Sequence, residues 1–200
     1  MNDTRSILLT GVGGQGTILA AKILSEGLTR MGYDVKMSEI HGMAQRGGSV
    51  TSHVRYGSRV DSPVISEGEA DIICSFEKLE AFRHLGYIKP EGMLIVNDLE
   101  IYPLPVLIGQ AAYPDDITAV LKTRHERFQL LSAHAIAEKL GNPRVENIVL
   151  LGAVAHYGGF MQFSWEETIR DLVKPAFIDI NIKAFYAGAK AASASFGGAS

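Results

Sequence analysis

Hydrophobic residues fall along the chain in two alternating rhythms. Ile7-Leu8-Leu9-Thr10 is a short apolar run that reads as a buried strand. After Gly11-Val12-Gly13-Gly14-Gln15-Gly16 the spacing changes. Ala20, Ile23, Leu24, Gly27, Leu28 and Met31 then recur at helical intervals, and Gly32 closes the helix. Val35 to Ile40 reads as a second strand. Ser49 to Tyr56 alternates, with Val50, Ser52, Val54 and Tyr56 on one side and Thr51, His53 and Arg55 on the other, which predicts a strand with one wet face. Val60 to Ile65, interrupted by Pro63, is expected to be a short edge segment. Asp71 to Phe76 is a further core strand, and Glu77 to Leu85 a helix with Leu79, Phe82 and Leu85 inward. Lys89-Pro90-Glu91-Gly92 reads as a turn and Met93 to Asn97 as another buried strand. Prolines break the pattern at Tyr102–Pro105 and at Tyr113–Asp116, and Lys122 to Arg127 reads as a solvated face. Phe128 to Ser132 is the last expected strand, and Ala133 to Leu140 a helix closed by Gly141-Asn142-Pro143.

From Asn147 the pattern is helical only. Ile148 to Tyr157 is apolar nearly all round and is expected to be buried. Ser164-Trp165-Glu166-Glu167 has the form of a capping box, with Ser164 at the N-cap. A final helix is expected over about Asp179 to Ala192. Alternating strands and helices, followed by helices alone, predict an α/β protein: a Rossmann-like, doubly wound, mostly parallel sheet with a C-terminal helical extension. Residues 1–193 are read as a single domain whose helical part is about 147–192. The small-residue tail, 194–200, is expected to be disordered. No internal repeat is visible.

Composition narrows the function. The chain has 200 residues, 46% hydrophobic and 20% charged, with a formal net charge of -3 and scattered basic residues, so nothing marks it for nucleic acid. No apolar run approaches the roughly 18 residues of a membrane span. The first residues lack the apolar stretch of a signal peptide, and the cytoplasm is the expected compartment. Cys74 is the single cysteine, which excludes an internal disulfide and a four-cysteine iron–sulfur cluster held by this chain. The six histidines, at 41, 53, 84, 125, 134 and 156, form neither a His-x-x-x-His motif nor a Cys/His cluster, so no metal site is expected.

The candidate chemistry gathers at two glycine-rich loops. Gly11-x-Gly13-x-x-Gly16, between a strand and a helix, can make a tight turn, let backbone approach a phosphate, and let helix pack on strand. The helix that begins at Thr17 offers unpaired N–H groups to an anion. The same glycines would equally serve close helix–sheet packing or leave room for a partner protein. In a dinucleotide site the ribose-binding acid would be Glu39, yet its strand runs straight into the long loop His41-Gly42-Met43-Ala44-Gln45-Arg46-Gly47-Gly48. Arg46 with its glycines suits a phosphate, and suits an interface turn as well. There is no Gly-x-Ser-x-Gly, Walker lysine, paired carboxylates or thiamine-type Gly-Asp-Gly segment, and no residue stands out as acid, base or nucleophile. The residues point to a binding or accessory module and no catalytic residue.

Gly11-Val12-Gly13-Gly14-Gln15-Gly16-Thr17 followed by Ala20-Ala21, with Gly42-Met43-Ala44-Gln45-Arg46-Gly47-Gly48-Ser49-Val50, resembles the gamma-type domain of the 2-oxoacid:ferredoxin oxidoreductases. Within that family the likeness is to the small subunit of the indolepyruvate-type enzymes. Supporting stretches are Glu69-Ala70-Asp71, Glu77 with Glu80-Ala81, Gly141-Asn142, Asn147 with Gly152-Ala153, and Asn181 near Phe185. The resemblance implies a heteromer whose large subunit carries thiamine diphosphate and [4Fe–4S] clusters, none of them bound by this chain. The complex would oxidatively decarboxylate an aryl 2-oxoacid, pass two electrons to ferredoxin and release an acyl-coenzyme A. It also implies that this domain helps accommodate coenzyme A, through Gly11, Gly13, Gly14, Gln15, Gly16 and Thr17 and through Arg46, Gly47, Gly48 and Ser49. The alternative is a free-standing Rossmann-like protein binding NAD(P) or FAD, which would need Glu39 free to hold a ribose.

Overall fold

The computed structural model describes residues 3–42 and 47–194. Six strands form one sheet: β1 (Arg5–Val12), β2 (Asp34–His41), β3 (Ser49–Gly57), β4 (Ala70–Ser75), β5 (Ile88–Asn97) and β6 (Phe128–Leu131), in the order β2-β3-β1-β4-β5-β6. β1, β4, β5 and β6 pair in parallel, whereas β3 runs antiparallel to both its neighbours. The sheet is thus mixed. From β1 the chain crosses through α1 (Thr17–Arg30) to β2, which skips one position, and β3 returns to fill it. Its register, Val12↔Ser49 on β1 and His41↔Val50 on β2, places the start of β3 beside the end of β1. The two glycine loops therefore meet because an antiparallel strand was inserted between β1 and β2; those two strands are not neighbours.

Helices cover both faces. Ile7 and Leu9 of β1 point into a core shared with α1, α6 (Glu146–Tyr157) and α8 (Ile178–Ala194). Leu8 points the other way, against α2 (Lys78–Arg83) and α4 (Ile117–Arg124). A central strand buried on both faces needs a continuous apolar run, which is what β1 has. α6 is buried from Asn147 to Ala155, in accord with its all-round apolar pattern. The C-terminal helical extension packs in the same layer as α1. Trp165, just before α7 (Glu166–Leu172), is fully buried against α1, where a Cβ on Gly27 would lie 2.3 Å from its ring. The remaining helices are α3 (Leu104–Leu107) and α5 (Ala133–Lys139).

Four local expectations are corrected. Val60 to Ile65 forms no strand; it folds over β3, with Val60 and Ile65 buried. The anticipated wet face of β3 is consequently covered: Thr51 and His53 are buried, and Arg55 Nη1 donates to the Val64 carbonyl at 3.0 Å. Lys89 to Gly92 lies inside β5, since a register shift beside Ala70 accommodates Pro90 and Gly92 in an extended strand. Ser164 makes no capping box. Its hydroxyl donates to the Glu166 carboxylate at 2.6 Å, and Trp165 occupies the N-cap. Among the described residues no helix is long and apolar enough to cross a membrane. Ala194 closes α8, while the rest of the tail, 195–200, lies outside the described residues.

Candidate functional site

The first glycine loop is built by its own glutamine. The Gln15 carboxamide oxygen accepts the Val12 N–H at 2.7 Å, and its nitrogen donates to the Phe76 carbonyl at 2.9 Å. Gln15 thereby ties the end of β1 to the end of β4. Gly11 leaves the space for it: a Cβ there would lie 2.8 Å from the Gln15 oxygen and 2.9 Å from Phe76 Cβ. Gly14 and Gly16 have φ of +108° and +81°, backbone that side chains strongly disfavour. Gly16 also sits under Asn147 of α6, whose Nδ2 donates to the Gly16 carbonyl at 3.3 Å.

The second loop is fastened to the first. Gly13 N–H donates to the Gly48 carbonyl at 2.8 Å, and Gly47 N–H returns to the Gly13 carbonyl at 3.4 Å. Gly13 N–H is thus used within the protein. Ser49, where β3 begins, donates its hydroxyl to Glu80 Oε2 at 2.5 Å. Glu80 is buried and is held in turn by Arg83 Nη1 at 2.6 Å. A buried carboxylate on α2 thus fixes the root of the second loop. Met43 to Arg46, including the candidate Arg46, lie outside the described residues.

Between the loops and β2 lies a cavity of about 500 Å³. Gly13, Gly14 and Gly16 form one wall, Thr17 and Ile18 open α1 at its floor, and Glu39, His41 and Val50 face them. The first helical bond of α1 runs from Ala20 N–H to the Gly16 carbonyl, which leaves the N–H groups of Thr17, Ile18 and Leu19 without intrahelical acceptors. No side chain caps them and no acidic residue lies in the first turn. This end of a 14-residue helix is electropositive and open.

Of the ten candidate residues, the cavity brings together Gly13, Gly14, Gly16 and Thr17. Gly11 and Gln15 build the turn, while Gly47, Gly48 and Ser49 brace it. The cavity adds Ile18, His41 and Val50, and its support adds Glu80 and Asn147. Glu80 and Asn147 stood in the sequence only among the stretches that support the resemblance, with no role attached; their bracing role shows once their partners are seen. A dinucleotide fingerprint needs the ribose acid on the strand next to β1. β3 occupies that place, so Glu39 stands two strands out, roughly 9–10 Å in the plane of the sheet. Glu39 lines the same cavity as the glycines, so only its distance from β1 tells against the NAD(P) or FAD alternative.

The chemistry of the remaining polar groups is quiet. Cys74 is fully buried and its thiol pKa is pushed up by that burial, so it is no nucleophile at neutral pH. Among the described residues, no group of three or more His, Cys, Asp or Glu could hold a metal ion. A doubly wound domain with an anion-ready helix terminus over a cavity and a braced pair of glycine loops defines the class: a ligand-binding α/β domain.

The chain belongs to the pyruvate ferredoxin/flavodoxin oxidoreductase family, whose sequence profile matches residues 6–191. It is 40% identical over 197 residues to the indolepyruvate oxidoreductase subunit IorB of Thermococcus kodakarensis, covering 96% of this chain and 98% of that one. Among solved structures, the gamma subunit of a keto/oxoacid ferredoxin oxidoreductase from Geobacter sulfurreducens superposes with a TM-score of 0.69 at 25% identity, over 95% of this chain and 99% of that one. A chain of the 2-oxoglutarate:ferredoxin oxidoreductase from Magnetococcus marinus, solved with 2-oxoglutarate, coenzyme A and succinyl-CoA bound, shares the fold at a TM-score of 0.72 and 19% identity. The match covers 97% of this chain and 32% of that longer one. This protein is therefore a small, gamma-type subunit of a 2-oxoacid:ferredoxin oxidoreductase.

Proposed function

We propose that this subunit serves an aryl 2-oxoacid:ferredoxin oxidoreductase and that its glycine cradle accommodates the phosphates of coenzyme A. The reaction would convert an aryl 2-oxoacid and coenzyme A to carbon dioxide and an acyl-coenzyme A, with two electrons going to two ferredoxins. The substrate class rests on 40% identity along nearly the whole length of an indolepyruvate oxidoreductase subunit. The cofactors that carry the chemistry belong to a large partner subunit. A chain with one buried cysteine does not fit a cysteine-ligated cluster, and no thiamine-type segment is present. Within this chain the residues would bind and orient.

The observation that carries the coenzyme A reading is the pair of N–H groups at Thr17 and Ile18, without intrahelical acceptors, beside a cavity large enough for a phosphate-bearing arm. In sequence Arg46 lies between His41, which lines this cavity, and Gly47, which is bonded to the first glycine loop. Arg46→Ala tests the reading in the assembled enzyme. A charge-assisted contact is worth about 1.5–3 kcal/mol, so KM for coenzyme A should rise roughly ten- to a hundredfold. KM for the oxoacid should hold, and the complex should still assemble. Dissociation of the complex, or equal movement of both constants, would make Arg46 an interface residue instead.

A further inference from the structure

The segment between β5 and α4 is fastened at both ends and shows its apolar side chains to solvent. Glu77, buried just before α2, accepts the Ile101 N–H at 3.2 Å and the Tyr113 hydroxyl at 2.7 Å through the same oxygen. The rings of Tyr102 and Tyr113 lie 4.9 Å apart, and Lys78 clasps Asp98 at 2.7 Å and Glu100 at 3.1 Å. Inside this clasp the strap closes on itself, with Gln110 N–H and Ala111 N–H both donating to the Pro105 carbonyl. What it presents is Leu104 and Leu107, each 67% exposed, Ile108 at 55% and Tyr102 at 50%. Four large apolar side chains exposed together on a strap anchored at a buried carboxylate form the kind of patch that marks an interaction surface.

We infer that this strap docks the large subunit of the complex, on a surface with an apolar groove and a basic flank. The inference rests on the reading of this chain as a subunit with a large partner. Charge selects the occupant. Between residues 98 and 116 the chain carries Asp98, Glu100, Asp115 and Asp116 and no lysine, arginine or histidine. Lys78 offsets one of these four charges, and the patch stays net acidic; a second copy meeting this one through it would set two acidic patches against each other, because a two-fold contact is self-complementary. The chain's own tail beyond Ala194 offers one large apolar side chain, Phe196, against four on the strap. Position agrees with the inference: the Phe76 carbonyl next to Glu77 accepts from both Gln15 and Asn97, so the strap and the glycine cradle are braced on the same turn. One partner surface laid on the strap would also reach the cavity.

The test uses the full chain and the co-expressed large subunit of its native complex. Leu104→Asp with Leu107→Asp is expected to leave the melting temperature of the isolated chain unchanged and to weaken association by about ten- to a hundredfold, the range of buried hot-spot residues. Asp115→Lys should weaken association in the same direction. If the aspartate pair lowers the melting temperature, the serine pair at the same positions decides. Equal binding by wild type and variants overturns the strap while leaving the subunit reading intact. A wild-type chain that ignores the large subunit overturns both. Self-association of the wild type that the variants abolish overturns the assignment of the partner.

Discussion

Among the described residues, the two buried carboxylates hold loops in place. Glu77 and Glu80 are each 1% exposed, yet every carboxylate oxygen accepts from a named donor: Glu80 N–H, Ile101 N–H and Tyr113 for Glu77, Ser49 and Arg83 for Glu80. Such groups are tolerated only when satisfied, so each fixes the position of the loop that satisfies it. His53 is the titratable counterpart. Its Nδ1 accepts the Ile65 N–H at 3.1 Å, and burial first, then the neighbouring His84, lowers its pKa from the usual 6.5. The neutral form is therefore favoured in the folded state, whereas the unfolded chain takes up a proton near 6.5. Stability contributed by His53 is present above that pH and is lost as pH falls below it. The melting temperature of the isolated chain is expected to drop between pH 7.5 and 5.5. His53→Gln should flatten that slope; an unchanged slope would assign the titration to another group.

At the scale of elements, the periodic stretches were legible and the strand order was not. β1, α1, β4, α6 and α8 could be read directly because their apolar spacing states both type and face. β3 was recognised as a strand, but alternation does not say which neighbours it takes. Its insertion between β1 and β2 is a tertiary choice that brings Gly13 and Gly48 into hydrogen-bond contact. For the same reason its Thr51 and His53 face was misread as wet: Ile65, far along the chain, covers it. Of the site, the glycines were legible; Glu80 and Asn147 were noted only for the resemblance, and their bracing role was not legible, since nothing local distinguishes a buried brace from a surface polar residue. Glycines also set the packing of α6 on α8. A Cβ on Gly152 would fall 1.9 Å from the Phe185 carbonyl oxygen, and one on Gly188 1.8 Å from that of Val149. Both obstacles are backbone, so the helices themselves would have to separate. Gly188→Ala should cost at or above the ~1–3 kcal/mol of ordinary overpacking. In a chain of this length that lowers the melting temperature by on the order of 10 °C. A shift under about 2 °C would show that the two helices can part freely.

The whole molecule is arranged as half of a division of labour. Five of its six strands run in one direction, and the glycine cradle, the Ser49–Glu80 brace and the apolar strap all lie at the end where β1, β4 and β5 stop. Open α/β sheets place their sites at that edge. Among the described residues, that edge holds no group of three or more His, Cys, Asp or Glu that could bind a metal ion. The single cysteine, Cys74, is fully buried on the neighbouring strand β4 with its thiol pKa pushed up by burial, and a cysteine-ligated iron–sulfur cluster needs several thiolates around it. The isolated chain should therefore purify colourless, with no absorption near 400 nm and no stoichiometric iron, flavin or thiamine diphosphate. The complex with the large subunit should be brown and should reduce ferredoxin only when oxoacid and coenzyme A are both supplied. Metal analysis and a visible spectrum on the chain before and after it joins its partner make the measurement. Iron bound tightly by the isolated chain would move electron transfer into this subunit, and the division of labour argued from its one buried cysteine would be wrong.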